Sequence, residues 1–73
     1  PATSVVDLKL ELEFVSDVSV SINNILGQTL IEQNFYTKDL YHSFNVNSLP
    51  NGVYLLKVDI NNKVFVKQLV IEK

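Results

Sequence analysis

Val6-Asp7-Leu8-Lys9-Leu10-Glu11-Leu12-Glu13-Phe14 decides the fold class. Apolar side chains fall at every second position and charged ones fill the gaps, a period of two that buries one face of a strand and wets the other. Outward along the chain, Val18, Val20 and Ile22 repeat the pattern against Ser19, Ser21 and Asn23. The Val15-Ser16-Asp17 link between these runs is short enough to predict an antiparallel hairpin. Asn24-Ile25-Leu26-Gly27-Gln28 then reads as a corner, followed by a third strand around Thr29 to Asn34. Phe35 to Tyr41 is mixed in character and reads as loop, with a short edge strand as the alternative. A strand near His42 to Asn47 turns Phe44 and Val46 inward.

Ser48 to Gly52 reads as a tight turn. Pro50 presets φ near about −65° and suits the second position of a β-turn, while Gly52 can supply the positive φ of a type II turn or bulge. Val53 to Ile60 and Val64 to Ile71 follow as the last two strands, joined at Asn61-Asn62. Asn tolerates positive φ better than any residue but Gly, so this pair suits a two-residue type I′ turn. Such a turn sets Ile60 opposite Lys63, Val58 opposite Phe65 and Tyr54 opposite Leu69, with the Lys67 stem passing among them. A three-residue loop would instead bring Val64, Val66 and Val70 inward. The first register is preferred, but the sequence does not separate the two.

No segment holds a 3.6-residue period, and strand-like runs with turn signals fill the chain. The expectation is an all-β domain, a small antiparallel β-sandwich of six to seven strands, immunoglobulin-like in its two-sheet packing. Seventy-three residues form one domain, 1–73. Such a domain buries only about 60% of its unfolded-chain surface. Its net stability is about 3–5 kcal/mol, which leaves little room for a deep catalytic pocket. Pro1-Ala2-Thr3-Ser4 has the character of a linker end, as if the domain followed an upstream one.

Composition narrows the partners. A formal charge of −2 with six scattered lysines gives no basic stripe for nucleic acid. No apolar run reaches the roughly 18 residues of a membrane span, and no signal-peptide pattern is present. Without cysteine there are no disulfides and no thiolate metal sites.

Catalytic constellations are weak. His42 is the only histidine, and its one conceivable partner is Asp39, three residues earlier. One nitrogen ligand rarely makes a metal site, so an exposed histidine at a strand start is preferred. Glu11 and Glu13 could mimic paired carboxylates, yet Asp7 and Lys9 share their face, as on a solvated surface. Ser16, Ser19 and Ser21 lie in no nucleophile motif. Two glycines are too few for a phosphate-cradling loop, and no cofactor motif is present. Phe35, Tyr36 and Tyr41 could form a sugar-stacking platform, but core or edge packing is the preferred reading. The sequence predicts no enzyme.

Several segments together resemble the C-terminal sorting domains of cargo exported by the type IX secretion system of Bacteroidetes-type bacteria. Val5 to Leu12 resembles the first alternating strand of that family. Ser21-Ile22-Asn23-Asn24-Ile25-Leu26-Gly27-Gln28 resembles its middle motif, an apolar strand turning at a glycine, with Asn23 where many members carry Tyr. Asn47-Ser48-Leu49-Pro50-Asn51-Gly52-Val53-Tyr54 resembles its Leu-Pro-x-Gly-x-Tyr signature. Lys67-Gln68-Leu69-Val70-Ile71-Glu72-Lys73 resembles its last strand, with Gln68 where a second Lys is frequent. The opening Pro1-Ala2-Thr3-Ser4 stands where members carry a Tyr-Pro-Asn-Pro-like segment.

The resemblance implies a recognition module without chemistry of its own. Its implied partners are the type IX machinery (outer-membrane translocon, shuttle protein and sortase) and an upstream cargo domain in the same chain. Passage through the periplasm, cleavage of the domain, and attachment of the cargo at the cell surface or its release are implied with them. Recognition candidates carried by these motifs are Gly27, Leu49, Pro50, Gly52, Tyr54, Lys67, Leu69 and Val70, with the last hairpin foremost. The rival expectation keeps the fold and changes the role, to a β-sandwich spacer or carbohydrate-binding module of a secreted enzyme.

Overall fold

The structure is a computed structural model that describes residues 4–73. The linker-end reading of Pro1, Ala2 and Thr3 therefore lies outside the described residues. Four strands make up the described chain: β1 (Val5–Asn24), β2 (Thr29–Asn45), β3 (Gly52–Ile60) and β4 (Lys63–Ile71). They form one antiparallel sheet in the order β2-β1-β3-β4. The all-β, antiparallel expectation holds. Six to seven strands in two separate sheets do not, because two pairs of expected strands are each one long strand.

The first merger is in β1. Val15-Ser16-Asp17 is no hairpin; the strand runs through it, and Val6–Glu11 and Val18–Ile22 both pair with β2. A tight hairpin favours Gly or Asn where φ is positive, and this link offers neither, with Asp17 the one residue that tolerates it. The even-numbered positions from Val6 to Ile22 are apolar on both sides of Ser16, so the phase is the same before and after the link, as befits one strand. The second merger is in β2, where Phe35 to Tyr41 is strand throughout. Its mixed character has a specific cause. Phe35 and Thr37 face the same way as Val18 and Ser16, whereas Leu40, His42 and Phe44 pair with Leu10, Leu8 and Val6. The inward phase thus slips from odd to even across Lys38, and alternation fails when read straight through.

At that slip the sheet doubles over. Between Glu11↔Asp39 and Ser16↔Thr37 four residues of β1, Leu12 to Val15, stand against the single Lys38. Such a bulge bends its strand and sharpens the twist. At about 3.3 Å per residue a straight twenty-residue strand would run roughly 66 Å. The longest dimension of the molecule is only 36 Å. The core confirms the folding back: Val6, Leu40 and Phe44 from one half of the hairpin cluster with Val18, Val20 and Ile22 from the other. Ser16, buried at the bend, donates its hydroxyl to the Phe14 carbonyl at 3.0 Å and accepts from Asn61 Nδ2 at 3.1 Å. The bend is thereby tied to the β3–β4 turn.

That last hairpin follows the two-residue register. Ile60 opposes Lys63, Val58 opposes Phe65 and Tyr54 opposes Leu69. Asn61 and Asn62 take φ of 50° and 67°, the doubly positive pair of a type I′ turn. Tyr54, Leu56 and Val58 are buried, but on the edge strand β4 only Ile71 is, and Phe65 and Lys67 remain exposed.

Candidate functional site

Pairing carries the candidate residues to one end of the molecule. Asn24, the last residue of β1, lies opposite Tyr54 near the start of β3, and Gly52 lies opposite Ile71 at the end of β4. The Asn24–Gln28 tip, the 46–52 connection and the chain's last residues are therefore neighbours. Of the eight candidates, Gly27, Leu49, Pro50, Gly52 and Tyr54 sit in this end. Leu69 and Val70 adjoin it opposite Tyr54 and Val53, and Lys67 lies further along β4 opposite Leu56.

The 46–52 connection differs from the expected turn. Its hydrogen bond runs from the Leu49 N–H to the Val46 carbonyl at 3.0 Å, so Asn47 and Ser48 are the central residues and Pro50 follows the turn. Asn45 Oδ1 accepts from the Asn47 N–H at 2.9 Å and fixes the entry, a local side-chain bond that competes well in turns. Gly52 opens β3 with φ of 158°, far from the roughly +80° of a type II turn. The corner is locked from both sides. Tyr54, buried, donates its hydroxyl to the Pro50 carbonyl at 2.6 Å. Lys73 donates its backbone N–H to Asn51 Oδ1 at 3.1 Å and its ammonium to the Asn47 carbonyl at 2.5 Å.

Beside the corner, the unpaired side of β4 faces the N-terminal part of β1 across an open groove of about 480 Å³. Val5, Val6 and Asp7 line one wall, and Lys67, Leu69 and Val70 the other. The three edge candidates thus border a slot between two strands that lack a partner there. Free strand edges of this kind are natural docking surfaces.

The Asn24–Gln28 tip is held by its own hydrogen bonds. Asn24 Oδ1 accepts from the N–H groups of Leu26 at 3.0 Å and Gln28 at 2.9 Å, and Asn24 Nδ2 donates to Gln28 Oε1 at 2.7 Å. The backbone adds Gly27 N–H to the Asn24 carbonyl and Asn24 N–H to the Gln28 carbonyl, both at 3.0 Å. Gly27 takes φ of 89°, which the tip requires. This framework leaves Ile25 72% and Leu26 82% exposed. Sequence reasoning placed both in the corner and its motif but singled out only Gly27 as a recognition candidate. Two apolar side chains between Asn and Gly at a hairpin tip were the signal available.

The other candidates that the sequence raised lie apart from this end. His42 is not at an exposed strand start but within β2, half-buried between Phe35 at 5.1 Å and Phe44 at 4.7 Å between ring centroids. Asp39 lies opposite Glu11 and three positions before His42 on the same strand, so the two side chains leave opposite faces and are not brought together. Glu11 lies exposed and ion-pairs Lys9 at 3.7 Å. Phe35 packs against the core while Tyr36 and Tyr41 stand exposed on either side of Lys38, so no common aromatic platform forms. Among the described residues no group of three or more His, Asp or Glu could hold a metal ion. Every buried side-chain nitrogen or oxygen among them has a hydrogen-bond partner.

Comparison with known families gives one finding, a match of the model described as "secretion system C-terminal sorting domain" over residues 1–72. No curated protein and no solved structure matches the chain.

Proposed function

Because the chain belongs to the type IX secretion C-terminal sorting domain family and acts as a C-terminal sorting signal, we propose that it is read as a folded surface. The reading end is the one built from the Asn24–Gln28 tip, the Leu49–Tyr54 corner and the free edge of β4. One observation carries this reading: three segments far apart in sequence converge on one end through the Asn24↔Tyr54 and Gly52↔Ile71 pairings. A sorting tail implies interaction with the type IX machinery and with a cargo chain, and a secreted product at the cell surface or outside it.

The finer assignments belong to the same proposal. Residues 1–73 act as one unit after an upstream cargo domain. Outer-membrane translocon, shuttle protein and sortase are the partners, the periplasm is the compartment of transit, and cleavage precedes attachment or release. No catalysis is assigned to the domain, which fits a family that is not one of enzymes. Fusion of the chain to the C-terminus of a periplasmic reporter tests the reading in a host with type IX machinery. The reporter is expected at the surface or in the medium. Equal periplasmic retention with and without the domain would refute the sorting role.

A further inference from the structure

We propose that Ile25 and Leu26 form a rigid apolar knob that inserts into a dry, uncharged pocket on a folded protein of the export machinery. The inference rests on the sorting role above and assigns a contact within it. Three features of the tip converge on that partner chemistry.

First, these side chains do nothing visible for the fold. They are 72% and 82% exposed and stand outside the hydrophobic cluster. Second, the tip is pre-ordered by its own hydrogen bonds. Asn24 alone engages Leu26, Gly27 and Gln28 through backbone and side chain. A loop already held in its bound shape loses little entropy on docking, which is how a small contact becomes an energetic anchor. Third, the tip is cheap to desolvate. Its amide side chains are satisfied internally, and residues 24–31 carry no charge.

The same absence of charge argues against a lipid surface as the occupant. No lysine lies between Lys9 and Lys38, and the cations that the fold brings near the tip are already engaged or offset: the Lys73 ammonium is held by the Asn47 carbonyl, and Lys57 shares a pocket beside Gly27 with Glu32 and Asp59. Binding at such a surface needs buried apolar area together with that attraction. A second copy is also disfavoured, since the groove beside β4 that could receive the knob carries Asp7, Lys67 and Glu72 and is far from dry.

The test uses the reporter fusion with four tails: unaltered, Ile25→Ser/Leu26→Ser, Ile25→Leu/Leu26→Ile, and Asn24→Ala. Removing two anchors from a small interface is expected to lower export by about tenfold or more. The apolar swap should keep export within about threefold, and Asn24→Ala should fall between. Thermal melts of the isolated domains should show the double serine variant folded, because the changed side chains are exposed. Export of that folded variant at the unaltered level would overturn the knob while leaving the sorting role standing. Failure of the unaltered tail to export would overturn both. Two further measurements separate the occupants. Flotation of the unaltered domain with phosphatidylglycerol-containing vesicles, lost in the serine variant, would replace the protein pocket with a membrane. Concentration-dependent dimers in sedimentation, lost in the same variant, would replace it with a second copy. Neither is expected.

Discussion

At position 27 the backbone, not the room around it, restricts the side chain. Nothing lies within 4 Å of a Cβ built on Gly27, yet its φ of 89° is one that L residues rarely adopt. Gly27→Ala should therefore cost about 1–2 kcal/mol from backbone strain alone. In a domain of this size that is a fall in Tm of about 4–8 °C per kcal/mol. D-alanine at the same position, introduced by chemical synthesis, fits a positive φ and should leave Tm unchanged or raised. Equal losses from both enantiomers would mean that the space, not φ, is limiting. Tyr54 poses a different question, because it is both buried and hydrogen-bonded. Tyr54→Phe removes only the 2.6 Å bond to the Pro50 carbonyl. Pro50 is exposed and its carbonyl can turn to water, so the loss belongs at the low end of about 0.5–1.5 kcal/mol. A denaturant titration that finds several kcal/mol would show the hydroxyl holding the whole corner.

Between turns the elements are only as legible as their periodicity. The last hairpin could be read because Asn61-Asn62 suits a type I′ turn and every even-numbered position from Tyr54 to Ile60 is apolar. Two competing registers were open, and the positive φ at both asparagines selected the shorter loop. The long strands were misread for two separate reasons. In β1, a dip in hydrophobicity at Ser16-Asp17 looks like a turn, although Ser16 is in fact buried and bonded to Asn61. In β2, the phase slip at Lys38 hides one strand behind two incompatible patterns. A bulge spanning Leu12 to Val15 leaves no composition signal, since Leu12-Glu13-Phe14 continues the apolar–charged alternation of the strand before it. Of the proposed site, the sequence singled out the corner, which carries Pro, Gly and Tyr in a recognisable order, and the last strand beside it. The apolar pair at the tip was not singled out, because exposure is a property of the fold. One element-scale prediction follows from the turn chemistry. Asn62→Gly creates the Asn-Gly pair most favoured in type I′ turns and should raise stability by about 0.5 kcal/mol. Asn62→Val should lower it by about 1–2 kcal/mol, since a β-branched residue resists φ of 67°. Thermal melts of both variants, with opposite signs expected, test whether this turn forms as described.

Across the whole molecule, signal and scaffold share the same strand, and export alone cannot tell them apart. Ile71 is 1% exposed and closes the core at the end of β4. Ile71→Ala should cost about 2–5 kcal/mol. Against a total of about 3–5 kcal/mol, much of the population would be unfolded, and lost export would report on folding. Lys67 lies on the same strand but is exposed and borders the groove with Asp7 and Glu72. Lys67→Glu adds a third carboxylate there, yet solvent screens it, and the stability change should stay within about 0.5 kcal/mol. If an acidic surface of the machinery docks on this edge, the reversal brings like charges together at a cost of several kcal/mol. The expected outcome is a folded Lys67→Glu variant, verified by circular dichroism, with clearly reduced export. Lys67→Gln, which removes charge without reversing it, should lie between this variant and the unaltered chain. Full export of folded Lys67→Glu would exclude Lys67 from the contact. Recognition would then have to rest on the end of the sheet where the Asn24–Gln28 tip and the Leu49–Tyr54 corner meet.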